Sequence, residues 1–446
     1  MGLTTTIYSG VSGMTASGNG LNLISDNIAN VNTVGFKGSK ASFSDFMESR
    51  LVDLSSVQTS FKQGDITQTT SPLDFAIEGR GLFIVNDPTK NNSYYTRNGE
   101  FDLDSQNYIT TNLNGMRLQG YVADDSGTIS TSLGDIRILP QETLTQAAAG
   151  QVLPNSGNGS FTTGNQTAGM PMMPAKATSK ADLRFNLQGS PTEPVIGSVS
   201  LLDPADLTKG PATSKYNFSS DFTVYDSEGA AHGMSIYFQK TSADQNTWEA
   251  RACWYTGDTT KTYQEQDLGQ MSFDQSGNMT ALGPVTINAT WDGGGTALQQ
   301  AITLNMDGST QYGSPSTTAY ENVDGYAEGG LSDFRMDSRG MLYGIYSNGK
   351  QKLLAQVALA DFSAPDELKK IGNNLFTIST GSGSPQVKTS GMDGAGTVLG
   401  RSLEMSNVDM ADQFVQMIAM QRAFQASSKI ISTSDEMYTT IVGLHI

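Results

Sequence analysis

The chain has 446 residues and a formal net charge of −17, from 44 acidic and 27 basic side chains. That acidic balance argues against a nucleic-acid backbone or an anionic bilayer as a partner, since each would repel the chain. Charged residues make up only 16% of the chain and glycines number 48, the composition of turn-rich β domains rather than of a helical enzyme. The length allows roughly two or three domains. The single cysteine, Cys253, permits no intrachain disulfide and reads as a half-buried strand thiol. No run of about 20 apolar residues exists, so no membrane insertion is expected. The opening MGLTTTIYSG lacks a basic stretch followed by an apolar core, so no cleavable signal is expected.

Residues 3–31 predict an amphipathic helix, with Leu3, Ile7, Val11, Met14, Leu21, Ile24, Ile28 and Val31 at three-four spacing. Ile7, Met14, Leu21 and Ile28 fall seven apart, which is the period of a helix seam that seeks a partner helix. Gly10, Gly13, Gly18 and Gly20 interrupt it, each costing about 1 kcal/mol relative to alanine. Such a helix needs packing to form, and the glycines permit close approach of a partner. Residues 33–75 read as an irregular polar linker. From Leu73 onward short apolar or alternating runs are separated by turns, among them Asp124-Asp-Ser-Gly127, Asp226-Ser-Glu-Gly229, Asp274-Gln-Ser-Gly277, Asp337-Ser-Arg-Gly340 and Tyr346-Ser-Asn-Gly349. Asp accepts local backbone hydrogen bonds there and Gly supplies positive φ, so the region predicts antiparallel hairpins.

A Gly/Pro/Ser/Thr-rich stretch near 141–180 and another near 308–325 bracket an inserted β domain. Residues 384–402 are again polar and glycine-rich. From Asn407 a second long helix is expected, with Ser406 and Asn407 as capping residues. Met410, Met417, Phe424, Ile431 and Tyr438 form its seven-residue seam, with Phe414, Gln421, Ser428, Asp435 and Val442 as the companion edge. The expected fold is mainly β with α-helical ends. The terminal helices form a coiled-coil inner domain, and of two antiparallel β domains the outer is inserted into the inner. The expected boundaries are 1–32 for the first helix, 33–75 for a linker and export region, 76–145 and 319–388 for the inner β domain, 146–318 for the insert, 389–404 for a linker and 405–446 for the last helix. Sticky helices at both ends point to a subunit that joins copies of itself, with Ile7, Val11, Met14, Leu21, Ile28, Met410, Phe414, Met417, Phe424, Ile431 and Tyr438 as candidate assembly residues.

Three separated blocks carry a family resemblance. DNIANVNTVGFKGSKASFSDFM (Asp26 to Met47) resembles the N-terminal signature of bacterial flagellar rod and hook proteins. LDFAIEGRGLFIV, YTRNGEFDLDSQNYI and MRLQGY resemble the β domain of that group, and SLEMSNVDMADQFVQMIAMQRAFQASSKIISTSDEMYTTIVGL its C-terminal helix. The insert, with YNFSSDFTVYDSEGAAHGMSIYFQK, is similar to the outer domain of the hook branch, whereas rod proteins lack so large a second domain. The resemblance implies a subunit of a curved, flexible tube that transmits torque from the rod to the filament. It implies export through the flagellar type III apparatus to the hook outside the cell. The implied partners are copies of the chain, hook cap, distal rod and hook–filament junction proteins, and the export apparatus. Phe43 and Met47 fit a short export-recognition motif of that family. A distal rod subunit, or a secreted β-rich binding module or hydrolase, remains an alternative.

Catalytic signals are sparse. The two histidines, His232 and His445, lie in no HExxH arrangement, and no CxxC or phosphate-loop pattern occurs. Asp102, Asp104 and Asn107 read as a hairpin turn rather than as calcium ligands. No catalytic residue, metal or cofactor is expected.

Overall fold

The computed structural model describes residues 3–46, 51–124, 126–138, 172–189, 196–242, 246–257, 262–292 and 297–443. The chain forms two compact units, one from residues 1–171, 332–345 and 350–446, the other from 172–331 and 346–349. The nested order is as expected, but the second crossing falls at Leu331 rather than near 318. Strand Thr317–Val323 accounts for the shift, because it pairs along Lys180–Gln188 and belongs to the insert.

The insert holds two sheets. Phe218–Tyr225, Ala231–Lys240, Thr247–Tyr255, Tyr263–Phe273 and Met279–Ala281 form an antiparallel meander. Its inner face meets that of the second sheet in one core that includes Phe185, Phe238, Trp248, Trp254 and Trp291. In the second sheet, Lys180–Gln188 runs antiparallel to Thr317–Val323 but parallel to Ala297–Asn305 and Thr310–Tyr312. These two parallel pairings are exceptions in otherwise antiparallel sheets. Lys180–Gln188 is the entry strand, joined by no hairpin to these neighbours, and the meander itself is the long crossover that a parallel pair needs. Entry and exit of the insert are stapled by mutual hydrogen bonds between Lys176 and Tyr326, 2.9 and 3.0 Å. Asp324 adds bonds to Ser179, Lys180 and Lys176. Burial alone would raise the Asp324 carboxyl, but the bonds it accepts hold it down at about 2.

The turn chemistry is as the sequence predicts. In Asp226, Asp274 and Asp337 the side-chain oxygen accepts from backbone N–H groups two and four residues on, at 2.8–2.9 Å, and the following Gly229, Gly277 and Gly340 have φ of +89°, +81° and +72°. Asp104 does the same for Gln106 and Tyr108, so the Asp102–Asn107 segment is a turn. His232 lies on a strand, with Nε2 2.8 Å from Asp226 Oδ2 and its ring stacked on Trp291 at 4.2 Å. Cys253 is buried beside Leu201 and Leu202, and burial pushes its thiol up to about 12. The native thiol is therefore expected to resist a disulfide reagent at neutral pH and to react once the insert unfolds; rapid stoichiometric labelling of the folded chain would contradict this.

The other unit is built around Gln351–Asp361, paired with Arg117–Val122, Leu82–Asp87, Met341–Tyr346 and Gln386–Thr389. Both segments expected as linkers are structured. Ser39–Phe46 and Leu51–Thr59 form a hairpin. Thr397–Gly400 pairs with Phe75–Glu78, and Ser402–Glu404 with Ile66–Gln68. These strands are short or mostly polar and carry a weak period-two signal, which is why the sequence does not announce them.

Candidate assembly interface

Two helices close the unit: α1, Leu3–Ala29, and α2, Met410–Gly443. The cap of α2 is Asp409, whose Oδ1 accepts from Ala411 N at 2.8 Å and Asp412 N at 3.3 Å. Asn407, expected as a cap, serves the junction instead: its Oδ1 accepts from Gly38 N, and its Nδ2 donates to Ser60 O and Lys62 O.

The helices run antiparallel in a register that advances by seven on both. Gly13 faces Ser427, Gly20 faces Met420, and Asn27 Nδ2 donates to Gln413 Oε1 at 3.0 Å. On the α1 side Gly10, Gly13 and Gly20 share the seam with the buried Ser17, Ile24 and Asn27. A Cβ on Gly10 would lie 2.7 Å from Ile431 Cγ1, and one on Gly13 would lie 2.7 Å from Ser427 Oγ. The glycines thus make a floor on which α2 lies closely, and dispersion contacts over that floor offset their helix-propensity cost. Gly18 faces open space, with nothing within 4 Å. Gly18→Ala is accordingly expected to stabilise α1 by about 1 kcal/mol, while Gly10→Leu drives the helices apart. Thermal unfolding followed by helical circular dichroism separates the two, and equal effects would contradict the register.

The predicted seam residues sit beside this floor. Ile7, Met14, Leu21 and Ile28 are half-buried one position from it, and Val11 is exposed. On α2, Met417 and Ile431 are half-buried, while Met410, Phe414, Phe424 and Tyr438 are exposed. The companion edge of the α2 seam is Gln413, Met420, Ser427 and Ser434, not the predicted series from Phe414, of which Gln421, Ser428 and Asp435 are also exposed. Small residues permit the closest approach, so the tight contact selects the polar and glycine face over the apolar one.

A second α2 stripe lies outside the predicted seam. Val415, Ala419, Ala423, Ala426, Ile430 and Met437 recur at steps of three, four or seven, and all are exposed. Val415 is 68% exposed, as is Tyr8 on α1. Phe43 lies half-buried over α1, its ring 3.4 Å from the position of a Gly20 Cβ. Met47 lies outside the described residues.

Where the helical ends join the β unit, three charges are buried. Lys37 Nζ lies 2.6 Å from Glu404 Oε1 and Arg97 Nη1 lies 2.9 Å from Glu404 Oε2. Glu404 also accepts from Gly64 N, Lys37 donates to Lys62 O, and Arg97 donates to Gly79 O. Burial lowers the Lys37 amine below its ordinary range, Glu404 raises it and Arg97 lowers it further. Asn27 braces the same corner through mutual hydrogen bonds with the Ser39 backbone, 2.8 and 2.9 Å. Among the described residues no cluster of His, Cys, Asp or Glu could hold a metal ion, and no helix is long and apolar enough to cross a membrane.

Paired helical ends with apolar stripes to spare, on a nested β body, mark a protein whose helices are open to further packing, and its segments match flagellar families. Residues 7–37 match the family described as flagella basal body rod protein, 76–152 the hook protein FlgE/F/G D1 domain, 193–326 the basal body protein FlaE D2 domain and 400–444 the rod FlgEFG C-terminal family. The flagellar hook protein FlgE of Treponema pallidum is 30% identical over 98% of this chain and 99% of its own length. That of Salmonella typhimurium is 30% identical over 97% of this chain and 98% of its own. The chain belongs to the flagellar hook protein family. The crystal structure of Helicobacter pylori hook protein FlgE2 shares the fold, with a TM-score of 0.51 and 14% identity over 76% of this chain and all of that one.

Proposed function

We propose that copies of this chain polymerise into the flagellar hook, a curved flexible tube that carries torque from the rod to the filament. The supporting observation is the α2 stripe from Val415 to Met437, which stays exposed after α1 has taken its own seam. Full burial of a Val, Ile or Met side chain contributes roughly 1.5–3 kcal/mol, and a helical array repeats that gain at every subunit. The role is structural and non-catalytic. Hook cap, distal rod and hook–filament junction proteins are the proposed neighbours, and the type III apparatus the proposed exporter to the cell exterior. Phe43 and Met47 are the proposed export-recognition pair. Phe43 is more open to recognition in the unfolded chain, since folding sets its ring against α1. The 30% identity to hook proteins over nearly the whole chain favours the hook over a rod subunit or a binding module. Electron microscopy of the purified chain, seeded with hook fragments, is expected to show curved tubes; a chain that stays monomeric under all seeding conditions overturns the proposal.

A further inference from the structure

The insert is the acidic part of the chain, with 18 carboxylate side chains against 8 basic ones in residues 172–331. In such a unit a cation should find a carboxylate nearby, and most do. Among the described residues, Lys176 pairs with Asp324, Lys209 with Asp206, and Arg251 with Glu249, Glu265 and Asp267. Lys215 donates to two backbone carbonyls, and Lys240 is buried. Lys180 and Arg184 are the exceptions, since both are exposed and neither has a carboxylate partner among the described residues. They stand on one face of Lys180–Gln188, because the alternate residues Ala181, Leu183 and Phe185 point into the core. The Arg184 guanidinium rests over the ring of Tyr320, 5.1 Å from its centroid, and Tyr320 is itself 45% exposed. An aromatic ring that holds an arginine in place is a common core of a protein contact.

The other outer face of the same sandwich has the opposite charge. Three carboxylates share Arg251 there, which neutralises one of them, and Asp267 is the most open of the three at 52% side-chain exposure. Asp221 is exposed on the edge strand, where Ser235 Oγ donates to it at 2.6 Å. Asp221, Ser235, Cys253 and Glu265 form one cross-strand row, with Asp267 just beyond it. The segment that covers Cys253 in this row carries the exposed Asp203. We propose that the insert of one copy sets Lys180, Arg184 and Tyr320 against the Asp203, Asp221 and Asp267 face of the insert of the next copy. Two unlike faces on opposite sides of one sandwich make a heterologous contact, which repeats without closing and so suits a helical polymer. Inserts of like net charge repel one another, and setting the unpaired cations on the acidic face removes that repulsion where the copies touch. Exposed ion pairs add little affinity but select which faces meet. The contact rests on the assembly reading and adds to it a partner surface on the insert, apart from the helices.

The test is a polymer grown from equal parts of unlabelled and heavy-isotope-labelled chain and treated with a carbodiimide, which joins an amine to a touching carboxylate without a spacer. Mass spectrometry is expected to find Lys180 joined to Asp203, Asp221 or Asp267 in mixed-isotope pairs, and none of these in treated free subunits. Arg184→Glu is expected to lower that yield about fivefold, because it sets like charges against each other, and to leave thermal unfolding of the insert unchanged. A folded Arg184→Glu chain that no longer polymerises counts as the same loss. A wild-type polymer without the mixed product, one that joins Lys180 across copies only to other carboxylates, or a yield untouched by Arg184→Glu overturns the contact and leaves the assembly reading standing. A wild-type chain that forms no polymer fails at the earlier step and takes the contact with it.

Discussion

Glu404→Ala is expected to destabilise the unit that holds the chain ends by about 3–5 kcal/mol, because it leaves two buried cations without their anion. The substitution strands Lys37 and Arg97 and also removes the acceptor of Gly64 N. The insert contains none of these groups and should unfold as in the wild type. Urea unfolding followed by exchange at residues 75–122 and 218–255 reads the two units apart; equal losses in both, or a loss below about 1 kcal/mol, would show that the ionic cluster is incidental. The three-charge cluster is not a general source of stability. Burial lowers the Lys37 amine below its ordinary range, a sign that desolvation outweighs the attraction. Replacing the trio by Lys37→Met, Arg97→Met and Glu404→Leu is accordingly expected to recover most of what Glu404→Ala loses.

The second large effect concerns polymerisation. Val415→Asp combined with Ile430→Asp is expected to leave the subunit folded and to abolish sedimentable polymer. Both side chains are exposed in the subunit, at 68% and 43%, where substitutions usually change stability by no more than about 0.5 kcal/mol. In an array that buries them, each new carboxylate would be desolvated without a partner, a cost of several kcal/mol per subunit. Ile431→Asp, one residue along, should do the opposite. Ile431 packs on the glycine floor of α1, so this change should melt the helix pair within one chain. Polymer that survives Val415→Asp/Ile430→Asp would show that α2 packs by another face.

Much of this architecture was legible in the sequence. The seven-residue recurrence marks both helices, and the Asp-x-x-Gly turns mark the hairpins, since each depends on residues a few positions apart. What escaped depends on distant residues. Nothing local around Lys37, Arg97 or Glu404 shows that they meet, so segments 33–75 and 389–404 read as linkers although the first carries a hairpin and the second two short paired strands. The intrachain helix contact lies one position from the seven-residue apolar seam for a different reason. The apolar period points to the largest side chains, whereas close approach selects Gly10, Gly13 and Gly20. The stripe through Val415, Ala419, Ala423 and Ala426 was present in the spacing. Alanines carry too little area to draw notice, yet they suit close helix contact.

Hydroxyl-radical footprinting of free subunits against purified polymer tests the central claim most directly. Val415, Ile430, Met437 and Tyr8 should lose most of their reactivity in the polymer, while Met420 and Ile431, half-covered by α1 in the single chain, should change much less. Unchanged reactivity along the α2 stripe, or a larger loss at Met420 and Ile431 than along the stripe, would contradict the division of the helices into an intrachain glycine face and intermolecular apolar faces.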